Sequence, residues 1–166
     1  MSTNENAMAA FAGESQANRK YAVFAEKANE EGFRNIARLF QAASEAEAIH
    51  ARKLLMAIKK IGKTEENLNG AVAGETHEFT EMYPQFLKEA EAEKQSDAAL
   101  IFTYAMKAEE VHAGLYKEAL RALKAGQDLS NRKVQYCPIC GNVFLGEAPD
   151  RCPICNAFRK VFKEVV

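Results

Sequence analysis

The sequence predicts a mainly α protein, in which a four-helix bundle is followed by a small four-cysteine module. Three observations predict this fold class. The first 126 residues are rich in Ala, Glu, Lys and Leu and contain a single proline, Pro84. Apolar residues recur there at every third or fourth position, which holds one face of a helix toward a core. All four cysteines and the other three prolines come after Gly126.

Four long helices account for the first part of the chain. Their expected bounds are residues 5–31, 33–61, 64–94 and 96–126, with Asn67 as a second possible start for the third. We expect Gly32 and Gly62 to end the first two helices, because glycine readily takes the left-handed conformation that terminates a helix. Pro84 interrupts the third, where we expect a bend or the loss of one hydrogen bond. Ser96 or Asp97 caps the fourth. Short connections make the helices neighbours and favour a bundle.

Composition also predicts the domain organisation. We expect a helical domain over residues 1–126, a polar linker over residues 127–133 and a terminal module over residues 134–166. The module is too short to build a large hydrophobic core, so it needs a metal or another staple.

Charge and hydropathy exclude several classes of function. The net charge is −1, with 22 basic and 23 acidic residues well mixed along the chain. This pattern argues against a nucleic-acid-binding or membrane-surface protein. No apolar run approaches the length of a membrane span, and the polar N-terminus lacks the apolar core of a signal peptide. We therefore expect a cytoplasmic protein, in which cysteines serve metal or redox chemistry rather than disulfides.

Two Glu-x-x-His motifs lie within the apolar helical stripes. They are Glu47 with His50 and Glu109 with His112. An unpaired buried carboxylate is costly enough that it would normally take up a proton or avoid the site. Something positive is therefore expected between the two motifs, and a pair of metal ions is the simplest candidate.

The helical region contains an internal repeat. Glu14 and Tyr21 precede the first motif, and Glu75 and Tyr83 precede the second. The motifs are 62 residues apart and the Gly-Glu pairs that end in Glu14 and Glu75 are 61 apart, so one residue has been inserted or lost. Two similar helical hairpins would form a site with approximate two-fold symmetry.

The inward-facing polar groups match a known ligand arrangement. They are Glu14, Glu47, His50, Glu75, Glu78, Glu109 and His112. A Glu from each of two helices and a Glu-x-x-His from each of the other two is the ligand set of di-iron carboxylate bundles. In the third helix, Glu78 and Glu81 have the same spacing as Glu75 and Glu78, and helical phase alone favours the second pair only modestly. His77 lacks the motif and is expected at the surface.

The cysteines form a second metal site. Cys137 and Cys140 make one C-x2-C pair, Cys152 and Cys155 make another, and eleven residues separate the pairs. This pattern is typical of a tetrahedral thiolate site. Gly141 and Asn156 follow the two pairs and tolerate the positive φ that turns backbone N–H groups toward sulfur. Zinc suits the same ligands, so a structural zinc ribbon stays open. Apolar residues that could shield either metal are Ile139, Phe144, Ile154, Phe158 and Phe162.

The motifs taken in this order resemble the rubrerythrin family over essentially the whole chain. The segments that carry the resemblance are Glu14, Glu47-x-x-His50, Gly74-Glu75-x-x-Glu78, Met82-Tyr83-Pro84, Glu109-x-x-His112 and the two Cys-Pro-Ile-Cys pairs. The resemblance implies a ferritin-like bundle followed by a rubredoxin-like domain, with ligands at Glu75 and Glu78 rather than Glu81. It also implies iron rather than zinc in the four-cysteine site. Asn156 departs from the glycine common at its position, and the chain lacks the tryptophan of a rubredoxin core.

The resemblance further implies an activity. Rubrerythrins are non-haem di-iron peroxidases that reduce hydrogen peroxide to water and protect against oxidative stress. The resemblance places Tyr21 and Tyr83 beside the metal ligands, and an iron of the family moves between the equivalents of His50 and Glu78. We therefore expect His50 to bind iron only in the reduced state. Electrons would come from a flavoprotein reductase that uses NADH, or from a rubredoxin. The expected assembly is a head-to-tail homodimer, with the module of one chain near the di-iron site of the other.

Two other functions remain as alternatives. A ferroxidase or iron-handling protein uses the same kind of bundle, and a non-enzymatic scaffold could carry a zinc ribbon. Glu78 and the electron-carrying module favour the peroxidase, because iron storage needs no attached electron donor. The scaffold leaves the buried glutamates unexplained.

Overall fold

Five α-helices and three short strands make up the described part of the chain, residues 2–130 and 132–166 of a computed structural model. The helices are α1 (Thr3–Glu30), α2 (Arg34–Ala57), α3 (Thr64–His77), α4 (Tyr83–Ala92) and α5 (Ser96–Lys124). The strands are β1 (Val134–Tyr136), β2 (Val143–Leu145) and β3 (Lys163–Val165). The chain divides into two compact units, Met1–Gly62 and Lys63–Val166. The predicted mainly α fold class is confirmed.

The division into a helical domain, a linker and a terminal module, which was expected from composition, stays a prediction. Met1 of the expected helical domain and Asn131 of the expected linker lie outside the described residues.

Helices α1 and α2 are both followed by a residue in the left-handed conformation. Ser2 caps α1 in a capping box with Glu5, and Gly32 follows the helix at a φ of +87°. The predicted end of α2 at residue 61 is wrong, because the helix closes four residues earlier. Lys59 takes a φ of +53°, and the backbone N–H of Lys60 donates to the carbonyl of Leu55 at 3.1 Å. This pattern is a Schellman motif, which ends the helix without a glycine.

Small residues let α1 and α2 pack closely. The buried positions of this hairpin are Ala25, Ala28, Ala37, Ser44 and Ala51. Ser44 is joined to Asn18 by three hydrogen bonds, in which the Asn18 amide donates to the Ser44 carbonyl and hydroxyl and the hydroxyl donates to the Asn18 carbonyl. These bonds satisfy a buried polar group and fix the register of the two helices.

A π-helical turn, Glu78–Met82, separates α3 from α4. At its end, the N–H of Tyr83 bonds to the carbonyl of Glu78, five residues earlier. Pro84 follows and has no N–H to offer the carbonyl four residues before it, so regular helix could not continue there unchanged. The sequence predicted a disturbance at Pro84, and the structure shows that it takes the form of a turn with one extra residue.

Helix α5 begins without the predicted cap. The N-cap residue is Gln95, and no side chain bonds to the free N–H groups there, so the expectation of a cap at Ser96 or Asp97 is wrong. Asp97 instead lies in the first turn, where its negative charge is favourable beside the helix N-terminus.

The two hairpins repeat the same aromatic cluster. In the first, the ring centroids of Phe24 and Phe40 lie 5.5 Å apart and both rings neighbour Tyr21. In the second, Phe86 and Phe102 lie 5.7 Å apart and both neighbour Tyr83. The repeat recognised from charged motifs therefore extends to the apolar packing within each hairpin.

The terminal module is a three-stranded antiparallel sheet with the order β2-β1-β3. Val134 of β1 pairs with Leu145 on one side and Val165 on the other. The rings of Phe144 and Phe162 stack at 4.9 Å between centroids. Both belong to the apolar shell around the cysteines, to which α5 contributes Tyr104. The module is thus anchored on α5.

None of the described helices combines the length and apolar character that crossing a membrane would require.

Candidate metal centres

The four cysteines converge at the base of the terminal sheet. The Sγ atoms of Cys137 and Cys155 lie 3.6 Å apart, and those of Cys140 and Cys152 lie 3.5 Å apart. All four cysteines are free. A tetrahedral metal with bonds to sulfur of about 2.3 Å needs sulfur atoms about 3.8 Å apart. The four thiols therefore fit one tetrahedral metal ion, as the spacing predicted.

Each cysteine pair sits in a tight turn. Gly141 N–H donates to the Cys137 carbonyl and Asn156 N–H donates to the Cys152 carbonyl, both at 2.9 Å. Gly141 has a φ of +80° and Asn156 a φ of +62°, which confirms the predicted left-handed conformations. The turns aim backbone N–H groups at sulfur, an arrangement that stabilises thiolates.

Burial and hydrogen bonding act in opposite directions on these thiols. Burial raises the pKa of Cys140 and of Cys155. Burial also acts to raise the pKa of Cys152, but hydrogen bonds from the backbone N–H groups of Cys155 and Ile154 and from the thiols of Cys140 and Cys155 together outweigh it, and the pKa of Cys152 is lowered. Buried thiols of this kind need a cation to become thiolates together, because desolvation disfavours their charged form.

Part of the predicted apolar shield is confirmed. Phe144, Ile154 and Phe162 pack against the cysteines. Ile139 and Phe158 do not belong to the shield, since they are 62% and 51% exposed. The Phe158 ring instead stacks against Arg151, whose guanidinium carbon lies 3.9 Å from the ring centroid.

The first hairpin brings three predicted ligands together. Atoms of Glu14 on α1 and of Glu47 and His50 on α2 lie within 4.8 Å of one another. His50 Nδ1 is 2.8 Å from a Glu47 carboxylate oxygen. Asn18 and Ser44, which lock the two helices together, lie one helical turn from Glu14 and from Glu47 respectively. We call this group the first ligand cluster.

The second hairpin repeats the arrangement with Glu75 on α3 and Glu109 and His112 on α5. We call this group the second ligand cluster. His112 Nδ1 lies 2.6 Å from a Glu109 oxygen and 4.0 Å from a Glu75 oxygen. All three side chains are about four-fifths buried, with 18–20% of each exposed. Three convergent N and O donors on two packed helices can hold one hard divalent cation.

Crowded carboxylates make the second cluster receptive to a cation. Burial, followed by hydrogen bonding to the neighbouring Glu109 and the charge of Glu109, raises the pKa of Glu75 to about 7. Burial and then the charge of Glu109 raise the pKa of Glu78. Burial also raises the pKa of Tyr83, with added effects from Glu109, Glu78 and Glu75. A bound cation would therefore stabilise the charged form of these carboxylates.

The sequence left a choice between Glu78 and Glu81, and the surroundings of the two side chains favour Glu78. The Glu81 side chain is 72% exposed, and its Oε2 lies 3.3 Å from Nδ1 of His77, whose side chain is 59% exposed. His77 is at the surface, as predicted. Glu78 is half-buried beside Glu109, although its oxygens are not among the converging donors of the second ligand cluster.

The second ligand cluster touches the cysteine module through a contact that the sequence did not reveal. His112 Nε2 lies 3.0 Å from the carbonyl oxygen of Gly141, the residue after Cys140. A carbonyl can only accept, which assigns the proton to Nε2 and leaves Nδ1 as the nitrogen that faces the carboxylates. No sequence signal marks such a contact, because every residue carries a backbone carbonyl.

Comparison with known proteins gives consistent matches. A family model described as Rubrerythrin matches residues 5–120. Nigerythrin of Nitratidesulfovibrio vulgaris is 39% identical over 93% of this chain and 82% of its own length. Rubrerythrin-2 of Clostridium acetobutylicum is 35% identical over 93% of this chain and 91% of its own length. A solved structure of fully reduced, all-ferrous nigerythrin has a TM-score of 0.60 and 36% identity, covering 99% of this chain and 87% of that chain.

Proposed function

The chain belongs to the rubrerythrin family, and from that premise we propose that it is a non-haem di-iron peroxidase that reduces hydrogen peroxide to water. Members of the family are oxidoreductases with a di-iron centre and one iron in a four-cysteine site. The donor sets described above fit both groups.

The single observation that carries the proposal is the contact between His112 and the carbonyl of Gly141. It joins a ligand of the second cluster to the loop that holds Cys140. A four-thiolate iron is a one-electron carrier, so this contact supports the proposal that an electron donor serves the carboxylate site. Iron storage has no use for such a donor, whereas peroxide reduction consumes two electrons in every turnover.

We propose that one cluster of each kind supplies the ligands of the iron pair. The four glutamates Glu14, Glu47, Glu75 and Glu109 match the charge of two ferrous ions, and Glu78 adds one further negative charge. When bound, the pair supplies two electrons at once to the O–O bond, so that peroxide and two protons give two water molecules and no hydroxyl radical is released. An iron held by the four cysteines would supply electrons one at a time to restore the reduced state.

The half-buried groups around the second cluster supply the protons in this proposal. Glu78 holds a proton on its carboxyl more readily than an exposed glutamate does, because burial and Glu109 raise its pKa. Tyr83 stays neutral for the same reasons and keeps its hydroxyl proton as a donor toward the carboxylates. Tyr21 occupies the equivalent place in the first hairpin and is assigned the equivalent positioning role.

We propose that His50 is the ligand that changes with oxidation state. Its side chain is 57% exposed, whereas the equivalent His112 is 20% exposed and is held by Gly141. A neutral histidine suits the reduced site, and oxidation adds positive charge that would draw in the Glu78 carboxylate. Crystal structures of the iron-loaded protein in both redox states test this. His50 fixed on iron in both states would contradict it.

The partners follow from the same proposal. The electron donor is a flavoprotein reductase that uses NADH, or a rubredoxin, and the protein works as a head-to-tail homodimer. Large apolar side chains of α2 are exposed, among them Leu39 at 70% and Met56 at 59%. Their exposure supports association with another protein surface. The four-cysteine module lies against His112 of its own chain, and the approach of this module to the di-iron site of a second chain stays a prediction.

Anaerobic stopped-flow spectroscopy tests the proposed reaction. The fully reduced, iron-loaded protein should be oxidised by about one hydrogen peroxide per iron pair, faster than by dioxygen. Glu109→Gln should abolish this reaction, whereas Glu110→Gln, the neighbouring exposed glutamate, should leave it intact. Slow reaction with peroxide and rapid uptake of dioxygen would instead identify a ferroxidase. A colourless, redox-silent protein would identify a zinc-ribbon scaffold.

A further inference from the structure

Asn142 is a buried amide that contacts both cysteine pairs. It follows Gly141 at the end of the first turn and is 2% exposed. Its carbonyl accepts from Cys137 N–H at 2.8 Å, and its backbone N–H bonds to the Cys140 sulfur. Its side-chain Nδ2 reaches across to the second pair and lies 4.0 Å from Cys152 Sγ. It therefore links the two halves of the thiolate site.

The amide side chain has no other partner in the described structure. Among the described residues, the Cys152 sulfur is the only hydrogen-bond acceptor for Nδ2. The buried Oδ1 has no hydrogen-bond partner among them. An uncompensated buried amide is destabilising, and an apolar side chain of similar size would fill the same space without that cost. The presence of an amide at this position thus points to a charge with which its N–H dipole interacts.

We propose that Asn142 raises the reduction potential of the four-cysteine iron centre by directing its side-chain N–H dipole at Cys152. Reduction adds one electron from the donor protein, and no bond is made or broken. The four thiolates and their iron become one unit more negative, and the positive end of an N–H dipole stabilises the more negative state more strongly. Hydrogen bonds to the sulfurs are a recognised means of setting the potential of iron–thiolate centres.

The separation of 4.0 Å is at the outer limit for a hydrogen bond to sulfur. The electrostatic effect does not require a shorter bond, because Asn142 and Cys152 are both buried and charge interactions are weakly screened there. Asn142 would therefore set how readily the centre accepts an electron and how strongly it holds the electron before passing it on. This inference rests on the four-cysteine iron site and not on peroxide as the substrate.

Asn142→Leu in the full-length, iron-loaded protein tests the proposal. Its reduction potential, measured by spectroelectrochemical titration of the visible absorption of the ferric thiolate centre, should fall. For a one-electron couple, a decrease of about tenfold in the equilibrium constant for reduction lowers the reduction potential by about 59 mV. The matched control is Asn156→Gly, which removes an exposed amide beside Cys155 and should shift the potential much less.

Asn142→Ser provides the same test if the leucine variant does not bind iron. The serine side chain is too short to span the distance to Cys152, so the potential should fall in this variant as well. A potential that stays at the wild-type value, or rises, in the iron-loaded variants would overturn the proposal. The titration uses no peroxide, so its outcome is independent of whether the protein is a peroxidase.

Discussion

His50 and His112 occupy equivalent positions in the repeat, yet their surroundings differ. Each places Nδ1 within hydrogen-bond distance of the glutamate three residues earlier. Among the described residues, only His112 has a hydrogen-bond partner at Nε2, namely the carbonyl of Gly141. A second partner fixes the orientation of an imidazole ligand. The sequence predicted both ligands from one motif, but it could not predict this asymmetry, because the distinguishing group belongs to the backbone of a distant loop.

Glu75 gives a prediction at the residue scale. In metal-free protein its pKa is raised to about 7, above the ordinary glutamate value of 4.5. The folded state therefore retains a proton that the unfolded state has lost, and the contribution to stability is complete below pH 4.5 and disappears as the pH rises through 7. Glu75→Gln should remove this dependence, an effect on the order of 1 kcal/mol after solvent screening.

Thermal unfolding of chelator-treated protein between pH 4.5 and 8 measures this effect. The melting temperature of the wild type should fall relative to that of Glu75→Gln as the pH rises. Glu91→Gln on the exposed side of α4 is the control and should track the wild type. Parallel curves for Glu75→Gln and the wild type would show that the carboxyl is not perturbed.

At the scale of elements, the π-helical turn accounts for the irregular repeat. Glu14 precedes Tyr21 by seven residues, whereas Glu75 precedes Tyr83 by eight. The turn Glu78–Met82 lies within the longer interval, and a π-turn accommodates one extra residue in an α-helix. The sequence indicated that one residue had been inserted or lost between the two halves. It did not indicate which backbone form would absorb the difference, because Pro84 equally predicts a simple bend. The extra residue leaves Glu78 beside Glu109.

Deletion of Thr80 tests this account of the turn. Thr80 is exposed, and its deletion should remove the extra residue of the turn while Glu75 and Tyr83 keep their faces. We expect helical content to be retained, a small loss of melting temperature and a loss of iron-pair binding. Deletion of Lys88, exposed within α4, is the control, since it should rotate the end of the helix and destabilise the hairpin strongly. Equal destabilisation by the two deletions would contradict the account.

At the scale of the whole molecule, the chain combines carboxylate clusters on helical hairpins with a thiolate module. The sequence predicted all three donor groups, because ligand spacing within a helix or a tight turn is a local property. It predicted less well where elements end, as the early end of α2 shows, and it did not predict that Tyr104 of α5 would pack against the cysteines. Contacts between elements depend on tertiary packing, for which a single sequence offers little signal.

The division of labour predicts a separable defect. Cys152→Ser should abolish turnover with a reductase donor, because the electron route is cut. The chemically reduced carboxylate site of the same variant should still be oxidised once by peroxide at close to the wild-type rate. Rapid-mixing kinetics on folded variant with its iron pair loaded measures both. Loss of the single turnover as well would show that the thiolate centre takes part in the chemistry itself.

The central claim is that the acidic clusters exist to hold an iron pair beside a thiolate iron. Mössbauer spectroscopy of protein loaded with ⁵⁷Fe tests it most directly. We expect about three irons per chain, with about two in a carboxylate–histidine environment and one bound by four sulfurs. A spectrum that contains only the four-sulfur component, from folded protein with unligated carboxylates, would contradict it.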